Sequence, residues 1–533
     1  MWLALVCAMS LDLDQLPEDP AILRAALCDL AASLERQTAE LEAARRGLEG
    51  RDAEIERLRF LIHQLQRHRF GRRSEQLDPD QLQLALEELE AAVAEAEAAQ
   101  AARRSTDNED RQRTARPRRN RGSLPANLPR FEVLVDIVDK TCPCCGGAMH
   151  VIAEDVAEML DIVPAQLRVK VIRRPRYGCR GCSDAVVQAP AAPRPIEGGL
   201  PTEAMLAHVL VAKYADFLPL YRQARIFARQ GIALDRSTLA DWVGHAGHWL
   251  APLHERLLAS VLAAPRVFAD DTPLPVLDPG RGRTKIGRLW AYATDDRPWA
   301  GPAPPAVAFV YAEDRKGARP AAHLAGFSGP LQVDGYSGFK NLPAGIELAF
   351  CWAHCRRRFY EAHQATASPI AAEALDRIAT LYQVETRIRG RPADERRDAR
   401  QEHSRPIVEA LAIWLALQLE RVSKKSGLAE AIRYAQRHWI GLLRYLDDGR
   451  LEIDTNTVER SIRPIALGRK NSLFAGSDGG ARHWAIVASL IQTARLNDVE
   501  PFAYLTSILT ELVARPPDDR LDALLPWNWA AAR

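Results

Sequence analysis

No apolar run in this 533-residue chain approaches the ~20 residues that a transmembrane helix requires, so no membrane partner is expected. No secretory leader is expected either. The start, Met1 to Ser10, is briefly apolar but has no positive n-region, and Asp12, Asp14 and Glu18 follow at once. Met9 opens the polar stretch and is a candidate alternative start. An excess of charge of one sign is also lacking: Lys+Arg 71 against Asp+Glu 69 leaves a net charge of +2. That excludes a uniformly basic coat, although a sum over domains can hide a basic arm beside an acidic helix. Cysteine is sparse and uneven. Of nine, five fall between 142 and 182, Cys351 and Cys355 sit together, and Cys7 and Cys28 stand alone. An odd, clustered set excludes a secreted disulfide framework and reads as reduced, metal-binding usage, which gives a cytoplasmic expectation.

The length implies roughly three or four domains, and 47% apolar with 26% charged residues is ordinary globular composition. Leu34, Leu41, Leu48, Ile55 and Ile62 recur every seven residues, with Leu58 and Leu65 on the alternate seam. This a/d pattern favours a coiled coil, hence a homo-oligomer, over a helix packed on its own protein. A second Leu/Ala/Glu-rich helix from about Gln81 to Arg103 makes 20–103 a coiled-coil or helical stalk. Residues 104–130 form a basic linker in which Arg111, Arg113, Arg116, Arg118, Arg119 and Arg121 lie within eleven positions. Such a run is a solvated tail or an arm neutralising DNA phosphates.

Residues 131–190 form a small Cys-rich unit. Within 200–250, Leu220–Gln230, a break at Gly231 and a helix from Arg236 to about Trp249, with Ser237 as plausible N-cap, have helix-turn-helix proportions. Two ordinary packed helices fit that spacing equally well. Short buried strands then read at Arg266–Ala269, Arg288–Ala293, Ala306–Ala312, Leu331–Val333 and Glu347–Trp352. Helical signals at Ala318–Ala325 and Cys355–His363 complete an α/β sheet of mixed order over 265–365. A wholly helical stretch, 366–450, has the character of an insertion. Helices resume at Asn456–Leu467 and Ala481–Leu496 within 451–500, and a helical tail occupies 501–533.

Three groups of residues carry chemistry. Two C-x-x-C knuckles, Cys142/Cys145 and Cys179/Cys182, can supply four thiolates to one tetrahedral, structural Zn²⁺, with Cys144 a competitor for Cys142. Asp270-Asp271-Thr272-Pro273 and Asp334-Gly335-Tyr336 end two buried strands on carboxylates, which is costly unless the charge meets a cation. One Asp-Gly alone is a turn signal; two strand-ending Asp residues in one sheet raise the prospect of a shared metal site. Glu459, one turn into a helix starting near Thr455 or Asn456, is either a third ligand or a capping-box glutamate opposite Asn456. Cys351, His354 and Cys355 have metal-like spacing. Three ligands on one helical turn without a partner pair nevertheless read as coincidence.

Taken together, these segments resemble a DDE-type transposase of the insertion-sequence-66 family. The likeness runs in order through Phe70-Gly71-Arg72-Arg73-Ser74-Glu75, the two knuckles, Tyr221-Arg222-Gln223 with Asp241-Trp242, Ala269-Asp270-Asp271-Thr272-Pro273, and Asp334-Gly335-Tyr336. It closes with Cys351-Trp352-Ala353-His354-Cys355-Arg356-Arg357, Asp454 to Arg463, and Gly468-Arg469-Lys470-Asn471. Ser461-Ile462 and Asp454-Thr455 depart from the family pattern without touching the carboxylates. The resemblance implies a multidomain α+β chain: N-terminal coiled-coil helices, a zinc-ribbon-like unit, a helix-turn-helix-like region, and an RNase H-like α/β catalytic core with a helical insertion. It implies an enzyme that cleaves and joins DNA strands at element ends with two Mg²⁺ or Mn²⁺ ions on Asp270, Asp334 and Glu459. Asp271 is the alternative to Asp270, and His354 is a candidate to orient phosphate or water or else a structural histidine. Arg460, Arg463, Arg469 and Lys470 are expected to clamp phosphates. Expected partners are the element's terminal repeats, target DNA and accessory element-encoded proteins. The competing readings are a DNA-binding regulator with an inactive core and a metal-dependent nuclease without joining activity.

Overall fold

A computed structural model of the chain describes residues 167–178, 186–278, 281–514 and 520–532. The N-terminal heptads, the arm with Arg118, Arg119 and Arg121, and the knuckle cysteines Cys142, Cys145, Cys179 and Cys182 lie outside the described residues. The described chain divides into two compact units, one of 192–224 with 235–532, the other of 167–178 and 186–191 with 225–234.

In the small unit, β1 (Arg176–Gly178) pairs antiparallel with β2 (Val186–Gln188), Tyr177 facing Val187. The Gln188 amide donates to the Arg174 carbonyl at 2.8 Å and the Arg174 guanidinium donates to the Ala189 carbonyl, which extends the ladder past its last backbone pair. The connection between these strands carries Cys179 and Cys182.

The large unit opens with α1 (Glu203–Tyr214), whose N-cap Thr202 hydroxyl accepts from the Met205 N–H at 3.2 Å. Helix α2 (Leu220–Arg229), whose residues from Arg225 onward are counted with the small unit, ends before Gly231, where φ of +82° suits glycine, and α3 (Arg236–Leu262) follows in the large unit. Two details differ from expectation. Asp235, not Ser237, holds the N-cap position of α3, and the helix continues well past Trp249. Leu250, Leu253, Leu257 and Val261 prolong its buried stripe at three- and four-residue spacing, so packing rather than a local stop signal sets its length.

The sheet comprises β3 (Val267–Asp278), β4 (Arg283–Thr294), β5 (Ala306–Ala312), β6 (Gly329–Val333) and β7 (Ile346–Phe350), in spatial order β5-β4-β3-β6-β7. β3, β4 and β5 pair antiparallel, and β3, β6 and β7 pair parallel. α4 (Ala318–His323) lies in the crossover between β5 and β6. Val267, Phe268, Leu289, Trp290, Val307, Phe309, Leu331 and Val333 are all fully buried, which explains the near-continuous apolar runs. β3 and β4 extend beyond those runs into a hairpin that the sequence hides behind Pro273 and Pro275. Both prolines fit because that edge of β3 does not face β4: the Pro275 carbonyl accepts from Ala475 N–H at 2.9 Å on the far side.

After β7 come α5 (Trp352–Thr366), α6 (Pro369–Ile388), α7 (Ala393–Ala399), α8 (Arg405–Arg421) and α9 (Gly427–Asp447). Trp352, Phe359, Ile378, Leu381, Leu411, Leu415, Ile432 and Leu446 form their common core. A π-helical turn, Arg400–Ser404, precedes α8. Arg400 there is fully buried; its Nε and Nη2 grip Glu385 at 2.7 Å each, and it also donates to the Tyr445 and Leu451 carbonyls. The chain finishes with α10 (Asn456–Gly468), α11 (Asp478–Leu496), α12 (Pro501–Ala514) and α13 (Pro526–Ala531).

The exposed edge of β5 is closed by side chains. Ser489 Oγ accepts from Phe309 N–H at 2.8 Å, Thr493 Oγ1 accepts from Val307 N–H at 3.1 Å and donates to its carbonyl at 2.9 Å, and Asn497 Nδ2 donates to Pro305 O at 2.8 Å. Every fourth residue along and just past α11 meets every second residue of the strand because four helical steps span about 6 Å and two strand steps about 6.6 Å. His254 Nε2 on α3 lies 2.9 Å from the Phe309 carbonyl. Replacing Ser489 by Ala or Thr493 by Val strands buried backbone groups and is expected to cost about 1–3 kcal/mol each. The measurement is a lower urea midpoint at unchanged m-value.

Candidate active site

Strand register brings the first two carboxylates together. β3 and β6 run parallel with Val267 opposite Leu331 and Phe268 opposite Gln332. Two residues further along each strand come Asp270 and Asp334, on the same face of adjacent strands. Asp271 points to the opposite face. There its carboxylate meets Arg315 Nη2 at 2.9 Å and Arg288 Nη1 at 3.2 Å. Burial still holds the Asp271 pKa above the ordinary carboxylate value, with both arginines opposing it. The two neighbours therefore have different surroundings: Asp271 is buried between guanidiniums, whereas Asp270 stands among other carboxylates.

Asp334 leads into Gly335, whose φ of +96° strains any other residue and whose neighbours Tyr434 and His438 would be crowded by a side chain. Asp334 Oδ1 accepts the Tyr336 N–H at 2.8 Å, and Tyr434 Oη donates to the Asp334 carbonyl at 2.9 Å. The Tyr336 ring lies 3.9 Å below the Arg315 guanidinium, and its hydroxyl donates to the Arg315 carbonyl at 2.6 Å. The Asp334 turn and the Asp271 ion pair are thus braced by one arginine.

Glu459 arrives on α10, which packs against β3 and β4. Thr455 is the N-cap of that helix, so Asn456 and Glu459 do not stand in capping-box register. Glu459 Oε1 instead accepts from the Thr455 hydroxyl at 2.6 Å. Asp454 accepts from Asn456 N–H at 3.1 Å and Nδ2 at 2.9 Å, and burial pushes its carboxyl up to about 7. The start of α10 is tied to the end of β7: Trp352 N–H donates to the Ile453 carbonyl at 3.0 Å and Thr455 N–H to Cys351 Sγ at 3.4 Å. Gln332, next but one to Asp334, holds the same segment through the backbone N–H and C=O of Glu452, at 3.0 and 2.8 Å.

Burial, followed by the charges of Asp334, Asp271 and Glu459, raises the Asp270 pKa well above its ordinary value. Each carboxylate also takes a local hydrogen bond, Asp270 Oδ1 from the Asp271 N–H at 2.7 Å. Among the described residues, the set of three possible ligand atoms lying within 4.8 Å of one another is Cys351, His354 and Glu459. The spacing of Cys351 and His354 was legible, but the third member comes from a helix more than a hundred residues later. Cys355 takes no part; it is buried, and burial drives its thiol pKa up.

The basic residues separate by exposure. Arg460, Arg463 and Lys470 are exposed. Arg469 is buried and donates to the Pro273 carbonyl, so it ties the end of α10 to β3. Sequence reasoning missed Arg288 and Arg315, because neither stands in a motif and only the sheet brings them to Asp271.

Family comparisons follow the same layout. Residues 198–483 match the Transposase IS66 family, and 139–183 match the zinc-finger binding domain of transposase IS66, spanning all four knuckle cysteines. Residues 57–133 match Transposase C of IS166 homeodomain, and 489–527 the IS66 C-terminal element. Three proteins of Sinorhizobium fredii (strain NBRC 101917 / NGR234), each named only as uncharacterized, are similar along most of their length. y4jD is 44% identical over 98% of this chain and 99% of its own, y4qI 42% over 98% and 99%, and y4hP 38% over 89% and 89%. These matches, on a mixed sheet presenting adjacent carboxylates, define a transposase. Within that class the chain belongs to the IS66 family. No helix among the described residues is long and apolar enough to cross a membrane.

A carboxyl with a raised folded pKa costs stability as pH climbs from the unfolded value toward the folded one. Asp270→Asn is therefore expected to stabilise the fold at neutral pH by about 0.5–2 kcal/mol. The gain in melting temperature over wild type should shrink as pH falls toward 4, and a gain independent of pH would contradict the assignment.

Proposed function

We propose that the chain cleaves DNA at the ends of a bacterial insertion sequence and joins the freed ends to target DNA. Hydrolysis of one phosphodiester bond frees a 3′-hydroxyl at the element end. That hydroxyl then displaces a 3′-oxygen in target DNA, so each bond broken is matched by one formed. The observation that carries this reading is that Asp270, Asp334 and Glu459, from two parallel strands and a distant helix, lie near enough for the charges of the last two to add to burial in raising the Asp270 pKa. It also favours an RNase H-like core, 265–365 with 451–500, interrupted by the helical segment 366–450.

These three carboxylates fit hard, oxygen-ligated cations, and a buried carboxylate crowded by like charges gains most from one. Asp270, Asp334 and Glu459 would hold two Mg²⁺ or Mn²⁺ ions, which when bound supply charge stabilisation to both the attacking and the leaving oxygen. Asp271 keeps Arg288 and Arg315 in place rather than joining that set. Thr455 orients Glu459, and His354, 4.0 Å from Glu459 through Nδ1, is placed to orient a phosphate or the attacking water. The exposed Arg460, Arg463 and Lys470, with Arg118, Arg119 and Arg121 of the N-terminal arm, neutralise DNA phosphates; Arg469 serves the fold beneath them. Cys142, Cys145, Cys179 and Cys182 hold a structural zinc. Residues 20–103 make a homo-oligomer, the helical pair around Gly231 contributes to DNA binding, and accessory element-encoded proteins act with this chain in the cytoplasm.

The test is labelled element-end DNA incubated with the full chain and Mg²⁺. Glu459→Gln is expected to lower cleavage by about 10²–10³-fold or more while leaving DNA binding intact. Cleavage and joining that survive this substitution would sink the catalytic assignment. Binding without wild-type cleavage would favour the regulator, and cleavage without joining the nuclease. Arg460→Ala is expected to lower the salt-dependence slope of DNA binding by about 0.9, the contribution of one phosphate contact.

A further inference from the structure

We infer that Cys351, His354 and Glu459 form a second kind of metal site, one that takes a single zinc-class ion and thereby withdraws Glu459 from the carboxylate set. Resting on the reading of Glu459 as a catalytic ligand, this gives the enzyme an inhibitory site for thiophilic metal. Two observations carry it. The sulfur, imidazole and carboxylate donors lie within 4.8 Å of one another. Ligands around a tetrahedral zinc stand about 3.3–3.8 Å apart at Zn–S and Zn–N lengths of about 2.3 and 2.0 Å, so side-chain rotation closes the gap. The side chains are also sheltered: Cys351 is 1% exposed, His354 18% and Glu459 12%.

The frame around the donors is fixed. Cys351 is the N-cap of α5, directly after β7. Its backbone neighbour Trp352 is bonded to Ile453, and its sulfur accepts the Thr455 N–H at 3.4 Å. A backbone donor on sulfur stabilises a thiolate, and the Thr455 hydroxyl on Glu459 Oε1 orients the carboxylate, so one residue supports two of the three donors. The donor types decide the metal. Thiolate and imidazole favour Zn²⁺ and discriminate against Mg²⁺, which prefers oxygen. Three protein ligands leave a fourth position for water. Glu459 is the one residue common to both sets, so a zinc-class ion on Cys351 and His354 competes with the hard cations for its carboxylate.

The experiment counts zinc bound by the full chain after equilibrium dialysis against Zn²⁺, and measures cleavage of element-end DNA in Mg²⁺ with and without added Zn²⁺. Wild type and Cys355→Ser are expected to bind the same number of ions, and Cys351→Ser and His354→Ala one fewer each. The zinc concentration that halves cleavage is expected to rise at least tenfold in Cys351→Ser. A zinc count unchanged in both Cys351→Ser and His354→Ala would overturn the site. A lost ion with unchanged zinc sensitivity would overturn the inhibition. Should one variant fail to fold, judged by circular dichroism, the other still decides the count. Loss of the ion together with cleavage retained in Glu459→Gln would instead remove the catalytic reading and leave the metal site standing.

Discussion

The parallel pairing of β3 with β6 is the constraint on which the rest of the site depends. These strands lie some sixty residues apart in sequence, and only their register sets Asp270 beside Asp334. Because side chains alternate faces, a slip of one residue would send Asp334 to the side occupied by Asp271 and its arginines. Several other contacts hold that register in place. Gln332 reaches across to the Glu452 backbone, Gly335 turns the chain immediately after the carboxylate, and Tyr434 fastens the Asp334 carbonyl. Each is a hydrogen bond or a steric fit of modest energy. Together they fix a geometry that the repulsion between like charges opposes.

The helical segment between β7 and α10 contributes to the same geometry through buried charge. Arg396 and Arg400 are both essentially inaccessible to solvent, and with Glu385 and Glu452 they form one network. Arg400 also satisfies the Tyr445 and Leu451 carbonyls, so it holds the chain just before α10. A network of this kind is weak evidence for net stability, since desolvation offsets attraction. Its geometric effect is clearer. The segment 448–452 has a defined path, and that path carries Glu459 toward β3.

Much of this architecture was legible in the sequence. The strand at Ala306–Ala312 was readable end to end, because a short apolar run buried on both sides has no competing pattern. Asp334 and Glu459 could be singled out near element ends, whereas Asp270, expected to end its strand, lies inside β3, which runs on to Asp278. Other features depended on partners remote in sequence. Pro273 and Pro275 disguise the outer half of β3, and only the strand direction shows why they fit. The length of α3 follows from apolar residues that meet β5 and α11. Cys351, His354 and Cys355 read as a coincidental spacing, since the residue that joins the first two, Glu459, lies on α10. Arg469 read like its exposed neighbours, although it faces inward. Local patterns specify elements, whereas register and burial depend on what each element meets.

The side-chain ladder from α11 along β5 has a consequence for how copies of this protein can meet. An open strand edge will accept any extended segment that offers backbone groups, including the edge of another copy. Here Ser489, Thr493 and Asn497 already occupy those groups, and the helix lies over the place where a foreign strand would add. Growth of the sheet from one molecule into the next is chemically terminated on this side. On this side, contact between copies is left to surfaces that recognise side chains, where partner and stoichiometry can be selected, rather than to backbone pairing, which selects neither.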